Sequence, residues 1–518
     1  MTQERLSYAY GTSSQPLLGM TIGEKFDQAC QQYAEQDAVV SLHQNVRLTY
    51  KELQAQVNAF ACSLLKLGLK KGDRLAIWSP NCVEWTITQF AAFKAGIILV
   101  NLNPAYKSNE LEYVMNKVSC KGLVIASQFK STNYQDILMK IAPEIKGAEN
   151  KVLKAERLPH LKYIIKIDEE EHTGLHRFSD LLTPPSKRQL NQLELVASES
   201  QFDETINIQF TSGTTGNPKG TMLTHNNILN NGYFVGEAIH LSPADRVCIS
   251  VPLFHCFGMV MGNLGCVTHG AAMIYPDEGF DPGKVLKAVH EQKATALYGV
   301  PTMFIAELDH PRRAEFDLSS LRTLFCGAAP LGAELSIEAG NRVGCPVVQG
   351  YGMTEASPVT HLSPKNAKNG RPGSIGKVIP MTEVRIVDVD SGADQGPNAE
   401  GELWIRGPQI MRGYLNQATA TADSIDENGW YRTGDIGYAD EDGFFYIVDR
   451  VKELIKYKGL QVSPAELEAL LLTHPEIIDA AVIPIPDEEA GELPKAYVVT
   501  RTGDLDNEPL AAQIMAFM

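Results

Sequence analysis

Between residues 48 and 126, stretches of helical spacing alternate with short strand-like runs, and nothing else in the chain narrows its fold so far. Residues 49–67 repeat their apolar positions at helical intervals, and Gly68 follows as a stop. Residues 74–78 read as a strand, 84–96 as a helix and 97–100 as a buried strand. A helix over 109–118 and a strand over 122–126 follow. Strands that succeed one another through helices argue for a parallel sheet with covering helices.

Further strand-like runs occur at 206–210, 247–251, 271–275, 296–298 and 324–326. Residues 127–200 are more polar and read as a helical excursion with loops. After Gly370 the runs 384–387, 401–405 and 444–448 alternate apolar and polar residues between turns at 390–397 and 440–443. This pattern suggests an antiparallel β subdomain. A connector rich in lysine, 450–459, leads to a helix at 464–472, a strand at 480–485 and a last helix from Leu510. The expected fold is α/β: a large N-terminal domain of αβα-layered sheets over 1–449, with its β subdomain at 370–449. A small mobile α+β domain over 450–518 reads as incomplete.

Residues 247–275 contain no Asp, Glu, Lys or Arg, which is long enough to span a membrane. Pro252, His255, Asn263, His269 and four glycines interrupt the run, so a strand, a turn and a buried helix fit better. An uncharged run of this kind can line an apolar ligand tunnel. Hydrophobic residues make up 44% of the 518, enough for a sizeable core. The net charge of −16 argues against a nucleic-acid partner, so an anionic ligand needs a local site that overrides the global field. Nine scattered cysteines, none in a C-x-x-C pair, point to single thiols in a reducing compartment. With no apolar leader in the first twenty residues, the expected location is the cytoplasm.

Four segments carry chemistry. Thr211-Ser212-Gly213-Thr214-Thr215-Gly216-Asn217-Pro218-Lys219-Gly220 follows a strand. Its glycines allow close backbone approach, its hydroxyls and N–H groups can donate to anionic oxygens, and Lys219 adds a positive charge. It is a phosphate cradle, yet not a Walker A loop, because Asn217 and Pro218 stand where that motif needs glycine. In Gln349-Gly350-Tyr351-Gly352-Met353-Thr354-Glu355 the third glycine of a dinucleotide fingerprint is replaced by Glu355. A glycine-flanked aromatic can stack a purine, and the carboxylate can hold Mg²⁺ beside a nucleotide. Tyr431-Arg432-Thr433-Gly434-Asp435 puts a carboxylate in a turn, a bidentate acceptor for two ribose hydroxyls; such turns are also common without ligands. The run from Asp449 to Gln461 is charged and reads equally as a solvated connector.

In this order and spacing the four segments resemble the acyl-adenylate-forming superfamily, which includes acyl-CoA synthetases, 4-coumarate–CoA ligases, beetle luciferases and peptide-synthetase adenylation domains. Up to about residue 323 the chain is similar to medium-chain acyl-CoA synthetases, as in Asn103-Pro104-Ala105-Tyr106, Pro252-Leu253-Phe254-His255-Cys256-Phe257-Gly258 and Tyr298-Gly299-Val300-Pro301-Thr302-Met303-Phe304. From about Cys326 onward, Gly327-Ala328-Ala329-Pro330-Leu331 and the 455–462 stretch look more like 4-coumarate–CoA ligase.

The resemblance implies ATP and CoA as co-substrates, with Mg²⁺. The loop from Thr211 through Ser212, Gly213, Thr214, Thr215 and Gly216 to Lys219 would grip phosphates. Gln349, Gly350 and Tyr351, with backbone at Gly327, Ala328 and Ala329, would hold adenine. Thr354 would touch the α-phosphate and Glu355 would bind Mg²⁺. Asp435 would take the ribose hydroxyls and Arg450 the ribose or phosphates. Lys452 sits at the family's hinge, and Lys456 and Gln461 match catalytic positions. His255, Phe257, Tyr298 and Gly299 match the acyl pocket, although His255 reads equally as a buried structural histidine.

The substrate expected is a medium- or long-chain fatty acid, with a hydroxycinnamate as the alternative. A luciferase-like oxygenase fits less well. The acidic charge and the interrupted 247–275 run lead us to expect no nucleic-acid partner and no transmembrane segment, only transient membrane contact at most. The family's late adenylation lysine has no counterpart here: after Gln461 the one lysine is Lys495, at a different position. A catalytically impaired nucleotide-binding remnant is therefore a further alternative.

Overall fold

Thr49 and Gly68 bracket the first long helix as their chemistry requires. The Thr49 hydroxyl accepts from the Glu52 N–H, the Glu52 carboxylate reaches back to the Thr49 N–H, and Gly68 closes the Tyr50–Leu67 helix at φ 102°. The computed structural model describes residues 6–168, 170, 172–211, 218–329, 331–364, 371–457, 460–487, 491–501 and 508–517. By internal packing the chain divides into two compact units. One comprises Gly11–Thr382 with Gly407–Asp423; the other comprises Met1–Tyr10, Glu383–Arg406 and Ser424–Met518.

The larger unit holds two large sheets and a two-stranded ribbon, Gln128–Phe129 with Thr132–Asn133. In the first, the strands run His176–Arg177, Tyr163–Ile167, Gly122–Ala126, Arg74–Trp78, Ile98–Asn101, Thr205–Thr211, Lys219–Thr224 and Gly413–Tyr414 in spatial order. Neighbours are parallel as far as Thr205–Thr211 and antiparallel beyond it. In the second the order is Lys377–Val378, Val359–Leu362, Val347–Gly352, Thr323–Cys326, Ala296–Gly299, Arg246–Ile249, Ala272–Tyr275, Asp37–Ser41 and Val46–Thr49. Its six inner members, from Val347–Gly352 to Asp37–Ser41, are parallel. Buried helices such as Val83–Lys94 cover these strands, as a parallel sheet demands.

Two expectations change. Residues 127–200 are not only helix and loop: Tyr163–Ile167 is a strand parallel to Gly122–Ala126. Its polar look comes from Lys166, which is buried but satisfied by Asp168 at 2.8 Å, with Gln135 and His172 also in hydrogen-bond range. Nor is 450–459 simply a connector. Arg450 ends the strand Phe445–Arg450, and Ile455–Tyr457 pairs with Leu460–Val462 because Ile455 is fully buried. The uncharged stretch forms the strand Arg246–Ile249, a π-helix Phe257–Leu264, a helical turn Gly265–His269 and the strand Ala272–Tyr275. Among the described residues no helix is long and apolar enough to cross a membrane.

The smaller unit pairs an antiparallel five-stranded sheet with a four-stranded one. In the first, Arg385 lies between Trp404 and Trp430 at 4.7 and 4.6 Å from their ring centres, a cation–π ladder across neighbouring strands. In the second, helices Pro464–Leu472 and Glu508–Phe517 bury Leu471, Leu510 and Ile514 against Ile455, Ile477 and Val482.

Candidate active site

The strands Thr205–Thr211 and Lys219–Thr224 form an antiparallel hairpin in which Thr211 stands opposite Lys219. The phosphate-loop candidates Ser212, Gly213, Thr214, Thr215 and Gly216 lie outside the described residues, between these two posts. Against the hairpin sits Glu355, on the helical turn Thr354–Ala356. Both Thr354 and Glu355 are buried, at 9% and 8% exposure. Glu355 Oε1 accepts from Tyr414 Oη at 2.8 Å and from Thr211 Oγ1 at 3.4 Å, and its backbone carbonyl accepts from Met411 N at 2.8 Å. Lys219 Nζ lies 4.7 Å from the centre of the Tyr414 ring.

This arrangement suits a polyphosphate with a divalent cation. Among the described residues no Lys or Arg is ion-paired with Glu355, and no group of three His, Cys, Asp or Glu side chains could hold a metal. One buried carboxylate fits a hard cation that brings most of its ligands with it, as phosphate oxygens and water. Lys219, without a carboxylate partner among the described residues, fits the phosphates themselves.

The turn bearing Thr354 and Glu355 is set by a tight approach. A Cβ on Gly352 would lie 1.8 Å from the Pro358 carbonyl oxygen, so only glycine lets the two segments meet. Met353 N then donates to Pro358 O at 3.0 Å. Beneath the turn Cys256 Sγ donates to Gln209 Oε1 at 3.1 Å. Burial, with the nearby Glu355 charge, pushes this thiol far above its ordinary pKa.

The remaining candidates of this unit gather at the carboxyl ends of the parallel strands, where open α/β sheets place ligands. Gly299 pairs with Cys326, and Cys326 pairs with Gln349. Gly327 is buried near Gly350: a Cβ there would meet the Gly350 oxygen at 3.3 Å and the Phe257 ring at 3.6 Å. Ala328, at φ 67°, and Ala329 are exposed beyond it. Tyr351 stands opposite His361 on Val359–Leu362. The Phe257 ring stacks on Tyr298, with centres 5.7 Å apart, and meets Phe325 edge-on at 5.5 Å. These rings join the expected pocket residues Phe257, Tyr298 and Gly299 to the adenine candidates. His255 is partly buried, and its Nδ1 accepts from Phe257 N at 3.2 Å at the start of the π-helix. Desolvation lowers its pKa, so it stands neutral.

Asp435, Arg450, Lys452, Lys456 and Gln461 belong to the smaller unit. Asp435 pairs with Arg450 across two strands, and Arg450 Nε lies 3.4 Å from Asp435 Oδ1. Asp435 is mostly buried and Arg450 mostly exposed, so the ion pair orients the carboxylate and leaves the guanidinium reachable from solvent. Lys452 is exposed in the turn after Arg450. Lys456 and Gln461 face each other in register on adjacent strands, and their side chains lie outside the described residues.

Tyr414 escaped the sequence reading, and Cys256, quoted there only within its motif, lies beside Thr354 and Glu355 and is bonded to Gln209. Tyr414 stands 59 positions from Glu355 with no motif around it, so only the pairing of Gly413–Tyr414 with Lys219–Thr224 brings it in.

The AMP-binding enzyme family matches residues 26–415, and the AMP-binding enzyme C-terminal domain matches residues 466–518. The chain is 40% identical to the medium-chain acyl-CoA ligase ACSF2, mitochondrial, of Mus musculus, over 99% of its length and 84% of the relative's. It is 39% identical to the putative acyl-CoA synthetase YngI of Bacillus subtilis (strain 168), covering 94% of this chain and 89% of that one. Among solved structures, the anthranilate CoA ligase AuaEII in complex with anthranoyl-AMP superposes with a TM-score of 0.83 at 25% identity, over 97% of this chain and 91% of that one. With both domain families matched in order and the phosphate hairpin facing a buried carboxylate, the chain belongs to the AMP-binding enzyme family, the acyl-adenylate-forming superfamily.

Proposed function

We propose that this protein is an AMP-forming acid–thiol ligase that converts a medium- or long-chain fatty acid, ATP and CoA into acyl-CoA, AMP and pyrophosphate. The observation that carries the reading is the buried Glu355 carboxylate set against the Thr211–Lys219 hairpin. A substrate carboxylate oxygen attacks the α-phosphorus, the bond to the pyrophosphate oxygen breaks, and acyl-AMP forms. The CoA sulfur then attacks the acyl carbonyl carbon, the bond to the AMP oxygen breaks, and the thiol proton is released.

Displacement at phosphorus is chiefly positioning and charge neutralisation. Lys219 and the hydroxyls and N–H groups of 211–216 hold the β- and γ-phosphates, and Thr354 holds the α-phosphate. Gln349, Gly350 and Tyr351 with the backbone of Gly327, Ala328 and Ala329 seat the adenine. Asp435, steadied by Arg450, accepts from the two ribose hydroxyls. A divalent cation held at Glu355 would neutralise the phosphate charge that builds as pyrophosphate leaves. Lys452 is the pivot between a large functional domain, 1–449, and a small mobile one, 450–518, which brings Lys456 and Gln461 to the reacting centre.

The acyl chain lies along Phe257, Tyr298 and Gly299, where each buried CH₂ contributes about 0.8 kcal/mol. The mouse medium-chain ligase matches this chain on both sides of residue 323, and the hydroxycinnamate alternative is not favoured. Nine buried cysteines, none in a disulfide, support a reducing compartment, and we place the protein in the cytoplasm; cell fractionation tests this. The activity test is CoA-thioester formation with octanoate against 4-coumarate. ATP-dependent product from octanoate is expected, and turnover confined to the coumarate would overturn the substrate assignment.

A further inference from the structure

Tyr414 occupies a position that the ligase reading leaves without a role. Its side chain is 6% exposed, and its backbone is fixed by pairing with Thr221 and by Tyr414 N donating to Thr421 Oγ1 at 2.9 Å. The ring therefore has little freedom. One face carries the Lys219 ammonium at 4.7 Å, and the hydroxyl at its edge donates to Glu355 Oε1 at 2.8 Å. A single aromatic side chain thus touches both the cationic and the anionic arm of the phosphate site.

Opposite charges that meet the same ring would otherwise attract each other, and a paired ammonium and carboxylate are less available to phosphate and to a cation. Tyr414 offers each charge a weaker substitute. The ring quadrupole holds the ammonium without neutralising it. The phenol donates to one carboxylate oxygen, Oε1.

We propose that Tyr414 is a positioning residue that holds Lys219 and Glu355 apart and aims the Glu355 carboxylate at a divalent cation shared with the ATP phosphates. This rests on the ATP reading above. The hydroxyl bonds to the cation arm and the ring faces the lysine arm, so two substitutions separate the effects. Tyr414→Phe keeps the ring and removes the hydroxyl. Tyr414→Leu removes both and lets Lys219 close on Glu355.

The test is calorimetric titration of the full-length protein with ATP, in EDTA and across a Mg²⁺ series, with circular dichroism confirming that each variant is folded. Wild-type protein is expected to bind ATP more tightly with Mg²⁺. For Tyr414→Phe, affinity in EDTA stays at the wild-type value, while the Mg²⁺ concentration for half of the tightening rises about tenfold, as for loss of a hydrogen bond to a charged group. Tyr414→Leu loses affinity in both media. In a Glu355→Gln background, Tyr414→Phe makes no further difference to the Mg²⁺ series. A Tyr414→Phe protein with an unchanged Mg²⁺ requirement, or one that weakens equally in EDTA and in Mg²⁺, overturns the proposal while leaving the ATP reading intact. A folded wild-type protein that binds ATP in neither medium overturns both.

Discussion

Replacing Gly352 by alanine is expected to silence adenylation in a protein that still folds. The added methyl would lie 1.8 Å from the Pro358 carbonyl oxygen, 2.6 Å from its carbon and 2.9 Å from Val359 Cα. Carbon and oxygen need well over 3 Å, so the two segments must part by about 1.5 Å. That motion breaks the Met353 N to Pro358 O bond, for about 1 kcal/mol. Overpacking adds roughly 1–3 kcal/mol. The fold can absorb the sum, because the strain is confined to the hairpin between Val347–Gly352 and Val359–Leu362. The chemistry cannot, because Thr354 and Glu355 ride on the displaced turn, and a misplacement of about 1 Å typically costs ~10²-fold in rate. The assay is octanoate-dependent exchange of pyrophosphate into ATP, read beside circular dichroism and thermal denaturation. Gly147→Ala is the control, since nothing lies within 4 Å of an added Cβ there. Exchange by a folded Gly352→Ala protein within about threefold of wild type, a difference under 1 kcal/mol, would refute the reasoning.

Other outcomes follow from the same geometry. Lys219→Met is expected to weaken ATP binding at least about tenfold, as loss of a charge-assisted contact does; equal affinities by calorimetry would remove Lys219 from the phosphate site. Asp435→Asn is expected to lose about tenfold of the preference for ATP over 2′-deoxy-ATP, measured as the ratio of kcat/KM values, because the amide presents one neutral acceptor oxygen where the carboxylate presents two charged ones. Burial holds His225 at a pKa of about 3, and its Nδ1 accepts from Ile22 N at 3.1 Å. The unfolded chain takes up a proton that the folded one refuses. Stability from this residue is therefore complete above the ordinary imidazole pKa of about 6.5 and falls by about 1.4 kcal/mol per pH unit below it. His225→Gln is expected to flatten the stability curve between about pH 6 and about pH 4 by that slope; denaturation midpoints that track the wild type would contradict it.

Much of this architecture is legible in the sequence, because local chemistry and the global fold agree. The first long helix, its stop at Gly68 and the helix Pro464–Leu472 all lie where residue pattern alone puts them. The hairpin posts Thr211 and Lys219 likewise fall at the ends of their strands. Misses occur where a long-range partner reverses a local signal. Lys166 makes Tyr163–Ile167 look like surface, and its burial is accounted for by Asp168 together with Gln135 and His172. Tyr414 enters the site through strand pairing across a long stretch of chain, which no spacing rule encodes. The uncharged stretch from 247 to 275 is legible as strand, turn and buried helix, but not as a π-helix, since the extra residue per turn leaves no mark on an all-apolar pattern.

The nine cysteines are all buried and none is in a disulfide, and desolvation pushes Cys30, Cys82, Cys120, Cys248, Cys256, Cys266 and Cys326 away from the reactive thiolate. The native protein is thus nearly silent toward maleimides. A single cysteine placed at the exposed Lys452 position is expected to carry a fluorophore almost alone, and a change in its emission during turnover would test the proposed hinge without a cysteine-free background having to be built first.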